Sequence, residues 1–169
     1  MAEDHEEIIE EEEEKAFTLV FLKRVFNDKK QVLLGMKKRG FGAGKWNGFG
    51  GKVEKGESLE EGAIREVEEE CSIVINEILR LGYLVFIFPD QKQMKVHVYV
   101  SYHFTGEAVD SEEMAPNWYD EEAIDAEMYS KMWSDDKYWF PFMFLDQKFV
   151  GRFLFNEENE VEDYTLKQQ

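Results

Sequence analysis

The chain has 169 residues, a formal net charge of −17, 14 Phe, 7 Tyr, 4 Trp and one cysteine, Cys71. That length fits one domain with a buried core, and the aromatic content excludes a disordered chain. No apolar run could span a membrane, no internal disulfide can form, and the acidity argues against a nucleic-acid polymer as partner.

Met1 to Glu14 holds nine acids and no Lys or Arg, and the chain without it carries −8. Residues 1–15 read as a disordered acidic tail, because a block of like charge repels itself and buries little. Residues 16–169 read as the single folded domain. Phe17 to Phe26 and Gln31 to Lys38 are expected strands, with Asn27-Asp28 supplying turn chemistry. GFGAGKWNGFGG, Gly40 to Gly51, holds half of the glycines. It lacks the spacing of a phosphate-binding loop and reads as a turn that lets backbone approach a ligand. Within it Asn47 can hydrogen-bond a base edge and Phe49 can pack nearby.

A helix is predicted from Ser58, a cap with Glu61 three residues on, to about Cys71. Leu59, Ala63, Val67 and Cys71 form its core stripe. Glu66, Glu69 and Glu70 share another face, and like charges so spaced destabilise an isolated helix. Arg65 can pair with Glu69, and Gly62 in mid-helix suggests close approach on the acidic side. Oxygen ligands without a nearby histidine suit Mg²⁺ rather than zinc. Charge clustering alone leaves a solvated acidic face equally open.

Leu81 to Phe88 is an expected strand, and Pro89-Asp90 starts a turn. Met94 to Thr105 alternates, with Met94, Val96, Val98 and Val100 on one face and Lys95, His97, Tyr99 and Ser101 on the other. Asn117 to Ile124 is ambiguous. Trp133 to Lys148 is expected to form a second helix, with Asp135 or Asp136 as cap and Pro141 tolerated if it lies in the first turns. Trp133 and Trp139 flank that acid pair. They read either as a capped helix with core aromatics or as a clamp for a purine. Val150 to Phe155 and Val161 to Leu166 complete a mixed sheet with two main helices, an α+β sandwich. His5, His97 and His103 carry no spacing signal, and Cys71 reads as packing.

The order Gly51, Glu57, Arg65-Glu66-Val67, Glu69-Glu70 resembles the signature of the Nudix hydrolases, metal-dependent enzymes that cleave nucleoside diphosphates linked to another group. It implies the α/β/α sandwich of that family. One position departs, since the family has glycine where this chain has Ser72. A glycine there supplies a left-handed cap, so the departure bears on the helix exit and not on the ligands. Val32 to Arg65 and Trp133 to Pro141 look like the MutT-type oxidised-purine nucleoside triphosphatases of animals, a branch of that family.

That resemblance implies hydrolysis of 8-oxo-dGTP and 2-hydroxy-dATP to monophosphate and pyrophosphate. It assigns base recognition to Thr18, Asn47, Phe86, Trp133, Asp135, Asp136 and Trp139, with Lys37 near the sugar and base. Gly50 (through its carbonyl), Glu66, Glu69, Glu70 and Glu113 would hold Mg²⁺, for which Mn²⁺ could substitute. Glu69 or Glu70 is the candidate general base. The expected partner is a small-molecule nucleotide, not a nucleic acid or a membrane, and the expected enzyme is a cytoplasmic monomer, with a nuclear or mitochondrial nucleotide pool as alternatives. The other readings are hydrolysis of a different nucleotide such as a methylated purine triphosphate, nucleotide binding without catalysis, and an acidic interaction module.

Overall fold

The computed structural model describes residues 16–169, and the acidic tail of residues 1–15 lies outside them. In chain order the strands are β1 (Ala16–Phe26), β2 (Lys29–Lys37), β3 (Trp46–Asn47), β4 (Val74–Ile87), β5 (Gln93–Thr105), β6 (Met114–Asp120), β7 (Phe149–Phe155) and β8 (Val161–Gln168). The helices are α1 (Leu59–Cys71), α2 (Ala126–Tyr129) and α3 (Asp136–Phe144), and a 3₁₀ turn spans Glu121–Ala123.

The strands join in the order β3-β2-β1-β5-β4-β7-β8, with β6 also paired to β2. β1 is the hinge of this sheet. Its first part pairs in parallel with β5, from Ala16↔Lys95 to Leu22↔Ser101, and its end pairs antiparallel with β2. The β1–β2 hairpin turns through Asn27 and Asp28, both at positive φ (50° and 63°), the geometry that lets a two-residue turn follow the strand twist.

Each face of the sheet is covered. Phe21, Val96, Val98, Trp139, Phe140 and Phe149 belong to one buried cluster, under α3. Val20, Leu22, Phe49, Ala63, Val67 and Tyr99 belong to the other, under α1. The alternation read in β5 is present, but its second face is not solvated. Tyr99 and Ser101 are buried there, as expected of a strand in the middle of a two-sided sandwich.

Four sequence expectations shift. β4 begins at Val74 and not at Leu81, because register shifts at Ile75/Glu77, Glu77/Leu79 and Arg80/Gly82 break the period of two. Asn117 to Ile124 resolves into the end of β6 and the 3₁₀ turn. The second main helix is shorter than Trp133 to Lys148, and Pro141 is the sixth of its nine residues, in the second turn. The short α2 carries no long periodic stretch to read; Asp125 caps it by accepting from the Glu127 and Met128 N–H groups, each at 3.1 Å.

Candidate active site

α1 starts as its sequence requires: Ser58 is extended, and its Oγ accepts from the Glu61 N–H at 3.1 Å. It ends at Ser72, which takes the left-handed conformation (φ 66°) usual for glycine and donates its N–H to the Glu68 carbonyl. Burial of Ala63, Val67 and Cys71 fixes the roll of the helix, and that roll turns Glu66 and Glu70 into a cavity. Gly62 is where close approach occurs: a Cβ there would lie 2.9 Å from Glu57 Oε1.

Arg65 organises the acidic face. Its Nη2 and Nε donate to the two Glu57 oxygens at 2.7 and 3.0 Å, while Nη1 reaches Glu66 at 3.0 Å and Glu69 at 3.2 Å. The expected pair with Glu69 is thus present, but the bidentate pair with Glu57 is the stronger geometry. Arg65, followed by the Glu54 N–H, holds the Glu57 carboxyl down at about 2.

Glu70 is in a different situation. Only 7 % exposed, it accepts the Gly50 N–H at 2.7 Å. Burial pushes its carboxyl up to about 8 against that hydrogen bond and the Lys37 charge, and the charges of Glu66 and Glu113 add to the rise. Burial likewise raises Glu66, with Arg65 opposing it.

Gly50 reaches Glu70 because the loop after β3 runs antiparallel to β1, with Phe49 bonded to Val20 and the Thr18 N–H donating to Gly51 O at 2.9 Å. A Cβ at Gly50 would lie 1.9 Å from the Thr18 carbonyl oxygen, so only glycine fits.

These residues suit a hard divalent cation. Glu66, Glu70 and Glu113 line one cavity with Gly50, all are oxygen donors, and burial raises the Glu66 and Glu70 carboxyls, a penalty that a cation would offset. Among the described residues no three acidic, His or Cys side chains already converge as a coordination set. Arg65 holds an oxygen of Glu66 and of Glu69, and Arg39 holds Glu113 at 2.8 Å.

The same cavity, of about 410 Å³, extends to the start of α3. Asp135 and Asp136 are 2 % and 1 % exposed. Neither caps the helix with its side chain: Asp135, at the cap position, has helical φ and ψ, and its Oδ2 instead accepts from Trp139 Nε1 at 2.7 Å. Asp136 Oδ2 is buried with no hydrogen-bond partner among the described residues. Burial pushes both carboxyls up, and the nearby Asp135 charge pushes Asp136 higher still, which favours a proton shared by the pair.

Thr18, Lys37, Asn47, Phe86, Trp133 and Trp139 also line this cavity. Asn47 Oδ1 accepts from the Gly48 N–H at 2.8 Å, which leaves its amide donors for a ligand. Trp139 is stacked on Phe149 at 5.5 Å, so its contribution is to orient Asp135, while Trp133 offers the flat wall.

Two expected residues lie elsewhere. Phe49 is fully buried beneath α1, because its bridge to Val20 carries it to the far core. Glu69 is 59 % exposed and points to Arg65, outside the cavity lining. Conversely, Phe41, Lys45, Phe88, Met94 and Phe155 line the cavity without having been anticipated. Phe41 and Lys45 belong to the glycine loop already singled out; the other three come from strand ends that only the topology brings together.

A family model described as NUDIX domain matches residues 17–143. The oxidized purine nucleoside triphosphate hydrolase of Mus musculus is 42% identical over 139 residues, covering 82% of this chain and 87% of that protein. The protein of the same name from Danio rerio is 44% identical over 137 residues, covering 80% and 86%. Among solved structures, a MutT protein from Bacillus halodurans is similar, with a TM-score of 0.75 and 28% identity over 90% of this chain and 97% of that one.

Proposed function

The chain belongs to the Nudix hydrolase family, and we propose that it hydrolyses oxidised purine nucleoside triphosphates, 8-oxo-dGTP and 2-hydroxy-dATP, to the monophosphate and pyrophosphate. One observation carries this reading: a single cavity holds a buried acid pair beside an indole at one end and a carboxylate face at the other. The first suits a purine edge, the second a metal-bound phosphate chain. The names of the mouse and zebrafish relatives support the substrate class.

Glu66, Glu70 and Glu113, with the Gly50 carbonyl, would hold the divalent ion that Nudix hydrolases use, and Glu69 would join them on leaving Arg65. Mg²⁺, with Mn²⁺ as substitute, supplies charge to polarise the phosphate chain and acidify a water. Glu70, the more buried of the two candidate bases, is the better placed to accept a proton as water adds to phosphorus and the bond to pyrophosphate breaks. Lys37, in the same cavity, offsets negative charge of the nucleotide.

At the other end, an Asp135–Asp136 pair that shares one proton would donate one hydrogen bond and accept another. That pattern matches 8-oxoguanine, which presents a ring N–H and a carbonyl. Moving the proton between the two carboxyls adapts the pair to 2-hydroxyadenine. Trp133 provides the stacking face and Asn47 a further amide.

Pyrophosphate release with Mg²⁺ across oxidised and ordinary dNTPs is the test. Preferential turnover of the oxidised purines is expected. Equal turnover of dGTP and 8-oxo-dGTP would remove the base assignment, and no release from any nucleotide would remove the catalytic one.

A further inference from the structure

Lys23 is a lysine in the interior of β1, 2 % exposed, and neither end of the cavity uses it. Its Nζ donates to the Met143 carbonyl at 3.0 Å, the Phe144 carbonyl at 3.2 Å and Asp146 Oδ1 at 3.1 Å. A fourth acceptor, Glu121 Oε1, lies at 3.3 Å. An ammonium has three protons, so one acceptor must go without, and Glu121 Oε1 is a buried atom with no hydrogen bond among the described residues. Burial works against the Lys23 charge, but Tyr102, Glu121 and Asp146 outweigh it and the ammonium is held in its charged form.

The two carbonyls are the last of α3, where a helix lacks internal partners and a cation is favourable; that of Met143 also accepts the Asp146 N–H at 3.2 Å, and Phe144 O has no such backbone donor among the described residues. α3 needs such support. It has nine residues and no side-chain cap at its start, and Pro141 removes one of its internal hydrogen bonds. Its other end carries Asp136 and Trp139. Lys23 also joins β1, which bears Thr18, to the 3₁₀ turn that follows β6.

We propose that Lys23 is a positioning residue for purine recognition: by gripping the C-terminus of α3 against β1, it keeps Asp136 and Trp139 in register with the cavity. This rests on the reading of Asp135–Asp136 as the base site.

The test compares wild type, Lys23→Met, Asp146→Asn and the double variant Lys23→Met/Glu121→Gln, by thermal melts and by steady-state kinetics on 8-oxo-dGTP and dGTP. Lys23→Met should lower Tm, since it strands the Glu121 charge, and should raise KM for 8-oxo-dGTP about threefold to thirtyfold with kcat little changed. The double variant should recover Tm but keep the raised KM, because charge balance returns while the grip on the carbonyls does not. Asp146→Asn, at a half-exposed position, should fold and shift KM in the same direction by about twofold. Recovery of KM together with Tm in the double variant would make Lys23 a purely structural residue and overturn the proposal. So would an unchanged KM in Lys23→Met or, should both Lys23 variants fail to fold, in Asp146→Asn. A wild-type enzyme that fails to prefer 8-oxo-dGTP over dGTP breaks the underlying base assignment instead.

Discussion

Two groups of carboxylates stand at opposite ends of one cavity, and they are held in opposite ways. On α1 the acids have a guanidinium among them: Arg65 bonds Glu57, Glu66 and Glu69. At the start of α3, Asp135 and Asp136 are buried against the same cavity, where Asp135 accepts the indole N–H of Trp139 and Asp136 feels the Lys45 charge without a bonded guanidinium between the acids. The same functional group therefore answers to different neutralisers. Carboxylates bonded to a guanidinium and turned toward a cavity are suited to bind metal, whereas two adjacent buried carboxyls without such a partner are suited to share a proton. Chemistry on phosphate needs the former; discrimination between purine edges needs the latter.

The contrast is broken most severely at the metal end. Glu66→Gln and Glu70→Gln each remove a ligand charge while keeping side-chain volume, and are expected to lower Mg²⁺-dependent pyrophosphate release by about 10²–10³. Binding of an oxidised purine monophosphate should survive. Near-normal release in both variants would mean that this face is only a solvated, Arg65-bound cluster.

At the proton end the effect is smaller and selective. Asp135→Asn and Asp136→Asn each fix an amide where a proton can move, and a mispaired buried polar contact costs about 1–3 kcal/mol, or roughly tenfold to a hundredfold in kcat/KM. The loss should differ between 8-oxo-dGTP and 2-hydroxy-dATP and leave metal affinity unchanged. Retained selectivity in both variants would reduce the pair to buried polar structure.

The same variants separate the two ends by pH. A carboxyl raised in the folded state contributes stability below its unfolded value near 4 and loses it as pH climbs through its folded value. The melting temperature of Asp136→Asn, relative to wild type, should therefore rise between about pH 4 and neutrality, by a few degrees. A flat difference across that range would show that the pair ionises freely.

Ser72→Gly touches neither end and calibrates the scale. With φ at 66°, serine takes a conformation that glycine adopts without strain. The substitution should stabilise by up to about 1 kcal/mol, or roughly 2–4 °C, with kcat and KM unchanged. A lower melting temperature would reveal a specific contact by the serine side chain.

How far the sequence could be read followed from how local each signal was. α1 was legible from end to end, because its cap, core stripe and acidic face all lie within one short stretch. The acid pair was legible as a pair, but its environment was not: a cap and a purine clamp both fitted the sequence, and only the packing of Trp139 against Phe149 shows why Asp135 turns inward. Phe49 was misplaced because a two-residue β3 gives no periodicity, and its direction is decided by a bridge to a distant strand. The start of β4 was missed because its irregular pairing erases alternation. Phe88, Met94 and Phe155 could not be found at all, since their contribution to the cavity depends on strand order.

The parallel pairing of β1 with β5 also sets the order in which the chain can fold. Phe17 must find Val96, and at about 5–20 residues/s a ribosome delivers that partner roughly 4–16 s later. The Asn27-Asp28 turn lets β2 pair at once with Lys23 to Phe26, and Phe49 to Val53 can soon cover one edge of Ala16 to Val20, but the edge of Ala16 to Leu22 that faces β5 must wait unpaired. Such an edge is a template for pairing with another chain. During synthesis the most vulnerable segment is thus the strand that will later be the best protected, and closure of the site must wait on that long-range encounter.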